Sequence, residues 1–219
     1  MLVNEKKTNV LCISDAMTFA PEVRLRLCGS EISSGDSLRL LGFTFMRSPT
    51  VNAHVESLIR RLRARTWALT KLRRAGFSQQ ELVKFYCGAI QPVAEYATPA
   101  FHPMIPGYLA AALERQQTQA LKNIYGRDIS AQEMRRRACV ETLHKRRERA
   151  TLKFAEKAAK DPRFARWFPL RGRTANTRSR RPYLETVSRT DRNKNSPVNY
   201  MRRIPVSYTH LTLPTIYSV

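Results

Sequence analysis

"VNAHVESLIRRLRARTWALTKLRRAGF", residues 51–77, holds the change of period on which the fold turns. Within it Val55, Leu58, Ile59, Leu62, Leu69 and Leu72 recur at three- and four-residue spacing. That spacing winds one apolar stripe along a helix. Gly76 stands where a helix stops in left-handed backbone, and Phe77 is placed to fold back onto Leu72. At about 100° per residue, Arg60, Arg63, Trp67, Lys71 and Arg74 fall on the stripe opposite the leucines.

Upstream, the period is two or absent. Residues 8–14 (TNVLCIS) read as a short buried strand, and 23–28 (VRLRLC) as a half-buried one. Residues 29–36 (GSEISSGD) are turn-rich. Residues 38–45 (LRLLGFTF) read as a third strand with Gly42 inside it, where a glycine marks a bulge or a close approach of another backbone. Three short strands make a thin sheet that needs something to pack against.

Downstream, helical signals follow one another. Ser78-Gln-Gln-Glu81 is a capping box opening a second helix through Leu82, Phe85, Tyr86 and Ile90. Pro92 should kink or end that helix. Residues 92–106, with four prolines, read as an ordered connector. A third helix runs from about Pro106 to Tyr125, with Leu109, Leu113, Leu121 and Ile124 on one face and Gly126 as its stop. Ser130-Ala-Gln-Glu133 is another capping box, and helix continues to about Ala159 before Asp161-Pro162 ends it. Leu143, Leu152 and Phe154 are its core candidates, and Arg146 and Arg147 sit with the basic surface. The fold class is therefore α+β and mostly α: a small antiparallel sheet, a helical bundle and a basic, partly disordered C-terminal arm.

The chain has 219 residues, with 39 Lys and Arg against 17 Asp and Glu, a net charge of +22. Such an excess points first to nucleic acid and second to an anionic membrane surface. Residues 171–205 alone hold ten basic and two acidic residues. No apolar run approaches the ~18 residues of a membrane span, and no targeting peptide is recognisable. Cys12, Cys28, Cys87 and Cys139 form no CxxC pair and do not cluster with the histidines at 54, 102, 144 and 210 beyond the single Cys139–His144 neighbourhood, which argues against a zinc site. They read as reduced thiols packed as small hydrophobes.

The helix from residue 51 carries seven basic residues (60, 61, 63, 65, 71, 73 and 74) and one acid, Glu56. A cationic stripe with an embedded indole suits a nucleic-acid backbone, guanidinium to phosphate and ring to sugar or base. A solvated face is the alternative, with Trp67 held by Arg63 and Lys71 through cation–π contact or covered by a neighbouring layer. Enzyme chemistry is sparse. There is no paired-carboxylate motif and no glycine-rich phosphate loop, and no two-metal site can be assembled. Composition and spacing thus lead to a basic, helix-rich nucleic-acid-binding chain.

Several segments together resemble reverse transcriptases of LINE-type (non-LTR) retrotransposons. "NEKKTNVLCIS" (4–14) resembles the strand that follows the catalytic aspartates, with Asn4, Lys7 and Thr8 matching an Asn-x-x-Lys-Thr signature. "RLLGFTF" (39–45) resembles the primer-grip hairpin at Leu41, Gly42 and Phe43. "RRAG", "FYCGAIQPVAEYATPAFHP" and "ALERQQTQALKNIYG" are similar to the helical thumb. "VETLHKRRERATLKFAEKA", "RFARWFP" and "SPVNYMRRIP" follow in order, so the resemblance covers about residues 2–205.

The resemblance implies the end of a polymerase palm over 1–47, a helical thumb over 48–126, a basic helical region over 127–170 and a basic flexible arm over 171–205. It places Lys7, or the adjacent Lys6, beside the incoming nucleotide's phosphates. It implies an RNA template and DNA primer duplex as partner, and Mg²⁺ for the full-length enzyme. It also implies a preceding polymerase portion carrying the metal-binding aspartates, with Met1 an internal methionine or the product of a contig edge. On this reading the chain alone is expected to lack polymerase activity, and no metal or other cofactor is assigned to it. The expected setting is intracellular, in nucleus and cytoplasm, away from membranes. A stand-alone basic RNA- or DNA-binding protein is the alternative. Residues 206–219 read "VSYTHLTLPTIYSV", of which "VSYTHLTLPT" resembles one reading frame of a transposase sequencing adapter, and the segment is expected to be foreign to the fold.

Overall fold

The computed structural model describes residues 8–13, 23–27, 29–170, 183–184 and 187–204. The order of elements is β1 (Arg24–Leu27), β2 (Ser30–Ser33), β3 (Ser37–Leu40), β4 (Phe43–Met46), α1 (Asn52–Arg74), α2 (Gln79–Phe85), α3 (Gln91–Glu95), α4 (Thr98–Phe101), α5 (Gly107–Tyr125), α6 (Ala131–Arg137), α7 (Leu143–Lys160), α8 (Asp191–Lys194) and α9 (Pro197–Arg203). The chain is α+β and mostly α. It divides into two units, the first holding the described residues to Ala97 with Met104–Lys145, the second Thr98–Pro103 with the described residues from Arg146.

In the first unit the strands form two separate antiparallel hairpins, β1–β2 and β3–β4. Among the described residues four strands thus stand where three were expected. Residues 8–13 form no strand; Val10 makes a single parallel bridge to Ser34, and its carbonyl accepts from Gly35 N. The stretch expected as turn-rich contains β2, and Leu25 of β1 is exposed rather than half-buried. Residues 38–45 are a hairpin, not one strand. Leu40 pairs with Phe43, leaving Leu41-Gly42 as a two-residue loop with φ +48° and +79°. Two successive positive φ values are the signature of the type I′ turn, whose twist matches its strands. Gly42 meets that requirement freely; Leu41 does so against its own Cβ.

The α1 helix buries Val55, Leu58, Ile59, Leu62 and Leu69 of the stripe expected from spacing, leaves Leu72 half-buried, and packs along α5. Burying such a side chain contributes ~1.5–3 kcal/mol. Its C-terminus closes as expected. Gly76 has φ +88°, its N–H donates to Arg73 O at 3.1 Å, and Phe77 N donates to Leu72 O at 3.3 Å. The capping box of α2 is complete: Glu81 N donates to Ser78 Oγ at 3.4 Å and Ser78 N to Glu81 Oε2 at 2.8 Å. These contacts hold the Glu81 carboxyl below its usual range.

Pro92 does not end the helical path. Tyr86–Ile90 widen to a π-helical turn, with Gln91 N donating to the carbonyl of Tyr86, five residues back. In a regular helix the proline ring would crowd the carbonyl of Gly88, and a widened turn relieves such a clash. On α5 the expected Leu109, Leu113, Leu121 and Ile124 are buried, together with Gln117 and Ala120.

The second capping box is only half formed. Ser130 Oγ accepts from Glu133 N at 3.2 Å, but the Glu133 carboxylate turns to Arg136 and Arg137, whose hydrogen bonds hold its pKa down at about 2. The helix expected through Ala159 is broken at residues 138–142. Cys139 adopts φ +52°; Cys139 N donates to Arg136 O at 3.1 Å and Val140 N to Arg135 O at 3.0 Å. This is the stop that Gly76 provides for α1, built on a cysteine. Cys139 and Cys87 are exposed rather than packed inside, while Cys28 lies outside the described residues. Glu114 of α5 then caps α7, accepting from His144 N at 2.6 Å and Leu143 N at 3.3 Å.

In the second unit Ala155, Ala158, Phe168, Tyr183 and Met201 form a core flanked by Ala159, Phe164 and Trp167. Phe168 and Tyr183 meet edge to face at 5.3 Å, and Phe164 lies 4.8 Å from Trp167. The buried stripe of α7 is Arg147, Thr151, Ala155 and Ala158. Arg147 is therefore inside, at 0% exposure, and not part of the basic surface; Leu152 is half-buried and Phe154 exposed, so of the expected core residues on α7 only Leu143 is fully buried. Asp161 ends α7 and caps a 3₁₀ turn over Pro162–Trp167, accepting from Arg163 N at 3.0 Å. Within the expected arm, α8 is capped by Thr190, and α9 starts on Pro197 and buries Met201. Residues 171–182, 185–186 and 205–219, including the tail expected to be foreign, lie outside the described residues.

Candidate nucleic-acid interface

The outward face of α1 carries every residue expected on its stripe. Arg60, Arg63, Trp67, Lys71 and Arg74 are all exposed. Trp67 is 64% exposed, so no neighbouring layer covers it, and Lys71 Nζ lies 4.9 Å from its ring centroid. The lysine is thus the cation–π partner, and the ring keeps a free edge toward solvent. Among the described residues no acid forms an ion pair with these four cations, whereas Arg24, Arg47, Arg136, Arg137 and Arg163 each face an acid.

The other basic residues of α1 differ. Arg65 donates to the carbonyl of Ala89, and Arg73 Nη1 to Asn123 O on α5 at 2.8 Å. These two tie α1 to its neighbours. Arg61 is half-buried. The seven cations counted in the sequence therefore resolve into four that face water, two that clamp the fold and one between.

The β3–β4 hairpin is seated on α1 through His54, which spacing alone did not single out. Its imidazole is fully buried, stacks on Phe43 with centroids 4.1 Å apart, and accepts at Nδ1 from Thr44 N at 3.4 Å. Burial first, then the charges of Arg61 and Arg39, push its pKa down to about 4. The imidazole is neutral at pH 7, as an Nδ1 acceptor requires. At the hairpin tip, Tyr96 OH donates to Leu41 O, and a Cβ on Gly42 would meet the Tyr96 ring at 3.3 Å. The close approach expected at Gly42 is real, but it is made by an aromatic side chain and not by backbone. Leu41 is 84% exposed and Leu40 also faces solvent. Hence, of the primer-grip-like residues, Leu41 and Gly42 form the exposed turn and Phe43 anchors it. Lys7 lies outside the described residues.

A buried polar hub holds the bundle behind this face. Gln117, 2% exposed, donates from Nε2 to Tyr86 OH at 3.1 Å and to Glu141 O at 2.9 Å, and accepts at Oε1 from Arg135 Nε at 3.1 Å. A glutamine on an exposed-looking helix carries no sequence signal for this role.

Among the described residues no group of three or more His, Cys, Asp or Glu side chains is placed to hold a metal ion. Several acids are committed elsewhere: Glu81 and Glu114 cap helices, and Glu133 and Asp161 bind arginines. The Mg²⁺ implied by the resemblance finds no ligand set in these residues, and no metal-dependent step follows from them. No described helix is long and apolar enough to cross a membrane. Comparison with protein-family models, with curated proteins and with solved structures finds no match for this chain.

Proposed function

We propose that this chain binds a nucleic-acid duplex along the outer face of α1, as the template–primer-gripping portion of a LINE-type reverse transcriptase. The observation that carries the reading is the run of Arg60, Arg63, Lys71 and Arg74 around an exposed indole, with no acid paired to any of them among the described residues. Guanidinium and ammonium groups along one helix face neutralise successive phosphates without reading sequence. Trp67 adds a flat apolar surface for a sugar or base. The exposed Leu40–Leu41 tip, held by Tyr96, gives a second, rigid contact point. Carboxylates for metal-assisted phosphoryl transfer would come from a separate polymerase portion. Placement in nucleus and cytoplasm belongs to the same proposal.

Trp67 offers a direct test. In a Trp167→Phe background it is the single indole. Titration with an RNA–DNA hybrid duplex should quench and shift its emission, and the change should vanish when Lys71 and Arg63 are reversed to Glu. Binding of the duplex with no change in Trp67 emission would move the interface off this face.

A further inference from the structure

A second cationic cluster sits beside the hairpin, off the outer stripe. Arg39 lies on β3 directly opposite Thr44, whose amide donates to His54 at the start of α1. Arg61 follows His54 by two helical turns and Arg65 by three, on the flank turned away from Arg60. The charges of Arg39 and Arg65 both act on Arg61. Burial, then Arg39, then Arg65, hold the Arg61 guanidinium below its usual range. Arg39 and Arg61 together help to keep His54 neutral.

Among the described residues no acid forms an ion pair with Arg39, Arg61 or Arg65. The Nε of Arg61 is buried without a hydrogen-bond partner there. Arg65 is steered by its bond to the Ala89 carbonyl. Three like charges gathered without a counter-ion cost stability, and a buried donor left unpaired costs more. Such an arrangement is relieved by an anion with several acceptor oxygens, which guanidinium forks bind in bidentate fashion.

We propose that Arg39, Arg61 and Arg65 form a phosphate-binding site, separate from the α1 outer stripe. Its ligand is one phosphate group, carried either on a nucleic-acid strand or free in solution. A structural arginine and a ligand-binding arginine then differ in sign on removal. Arg61→Met keeps the aliphatic stem and drops the charge, so in chloride buffer its Tm should equal or exceed that of the unaltered protein. Inorganic phosphate, titrated against chloride at constant ionic strength, should raise the Tm of the unaltered protein saturably, and this rise should be lost in Arg61→Met and Arg39→Gln. If the site takes only a strand phosphate, inorganic phosphate has no effect, but the salt-dependence slope for an RNA–DNA hybrid duplex falls by about 1 in each variant. Arg60→Met serves as the outer-stripe control and leaves the inorganic-phosphate response unchanged, so failure of this site and failure of the stripe are distinguishable. Arg61→Met and Arg39→Gln that match the unaltered protein in both phosphate response and salt slope would overturn the proposal.

Discussion

The phenol of Tyr96 closes on the tip of the β3–β4 hairpin: its hydroxyl donates to the Leu41 carbonyl, and its ring occupies the space a Cβ on Gly42 would enter. Leu41 is held at φ +48° with its side chain in solvent. A leucine in left-handed backbone costs ~1–2 kcal/mol, so the tip persists because its surroundings hold it.

Removing the clamp should therefore be measurable. Tyr96→Phe should cost about 1 kcal/mol, the worth of one hydrogen bond. Gly42→Ala should cost at least as much, because it adds both a Cβ at φ +79° and a 3.3 Å contact to Tyr96. Leu41→Asn should instead stabilise by several tenths of a kcal/mol, since asparagine tolerates this backbone. Urea unfolding midpoints of the three variants rank these effects.

Protonation of His54 should unseat the hairpin. Its pKa is about 4 in the folded chain against 6.5 as the ordinary value, so the unfolded chain binds the extra proton first. The stabilisation is complete above about pH 6.5 and is lost as pH falls toward 4, to a limit on the order of 3 kcal/mol. The difference in unfolding free energy between pH 7 and pH 4.5 should shrink by this amount in His54→Gln. An unchanged pH dependence would show that other groups carry it.

Gln117→Leu should be the most destabilising conservative-volume change in the bundle. It strips partners from Tyr86 OH, Glu141 O and Arg135 Nε together. The loss of three hydrogen bonds from one buried side chain is expected to cost ~1–3 kcal/mol. Thermal denaturation gives the value; a loss under a few tenths would mean that water replaces the amide.

Cys139→Gly should raise stability by about 0.5–1 kcal/mol, since glycine adopts φ +52° without a Cβ penalty. Gly76→Ala, at φ +88°, should do the opposite at the end of α1. A matched pair of Tm shifts with opposite sign checks both.

These residues also mark where the fold could be read in advance. The apolar period of α1, the Gly76–Phe77 stop and the Ser78–Glu81 box are local chemistry, and each forms as its residues dictate. What escaped reading was set by neighbours. Cys139 does a glycine's work, so one long helical pattern hides the break between α6 and α7. Leu41-Gly42 lacks the Asn-Gly or Asp-Gly signal of a type I′ hairpin, so two strands look like one. The apolar spacing of α7 suggested Leu152 and Phe154, yet packing chose Arg147, Thr151, Ala155 and Ala158. At the candidate interface the exposed stripe followed from helical geometry alone. The Arg39–Arg61–Arg65 cluster required knowing that the β3–β4 hairpin folds back onto α1 through β4.

On the proposal above, the outer face of α1 binds a nucleic-acid backbone. The most direct measurement is the affinity for an RNA–DNA hybrid duplex at about 50 and 200 mM salt, for the unaltered chain and for the triple charge reversal Arg60→Glu, Arg63→Glu, Lys71→Glu. If about six phosphates are neutralised, the unaltered chain should weaken about a thousandfold across that range, and the triple variant should bind far more weakly with a shallower salt slope. Equal affinity and equal slope in the two proteins would contradict the claim and leave the stripe a solvated face.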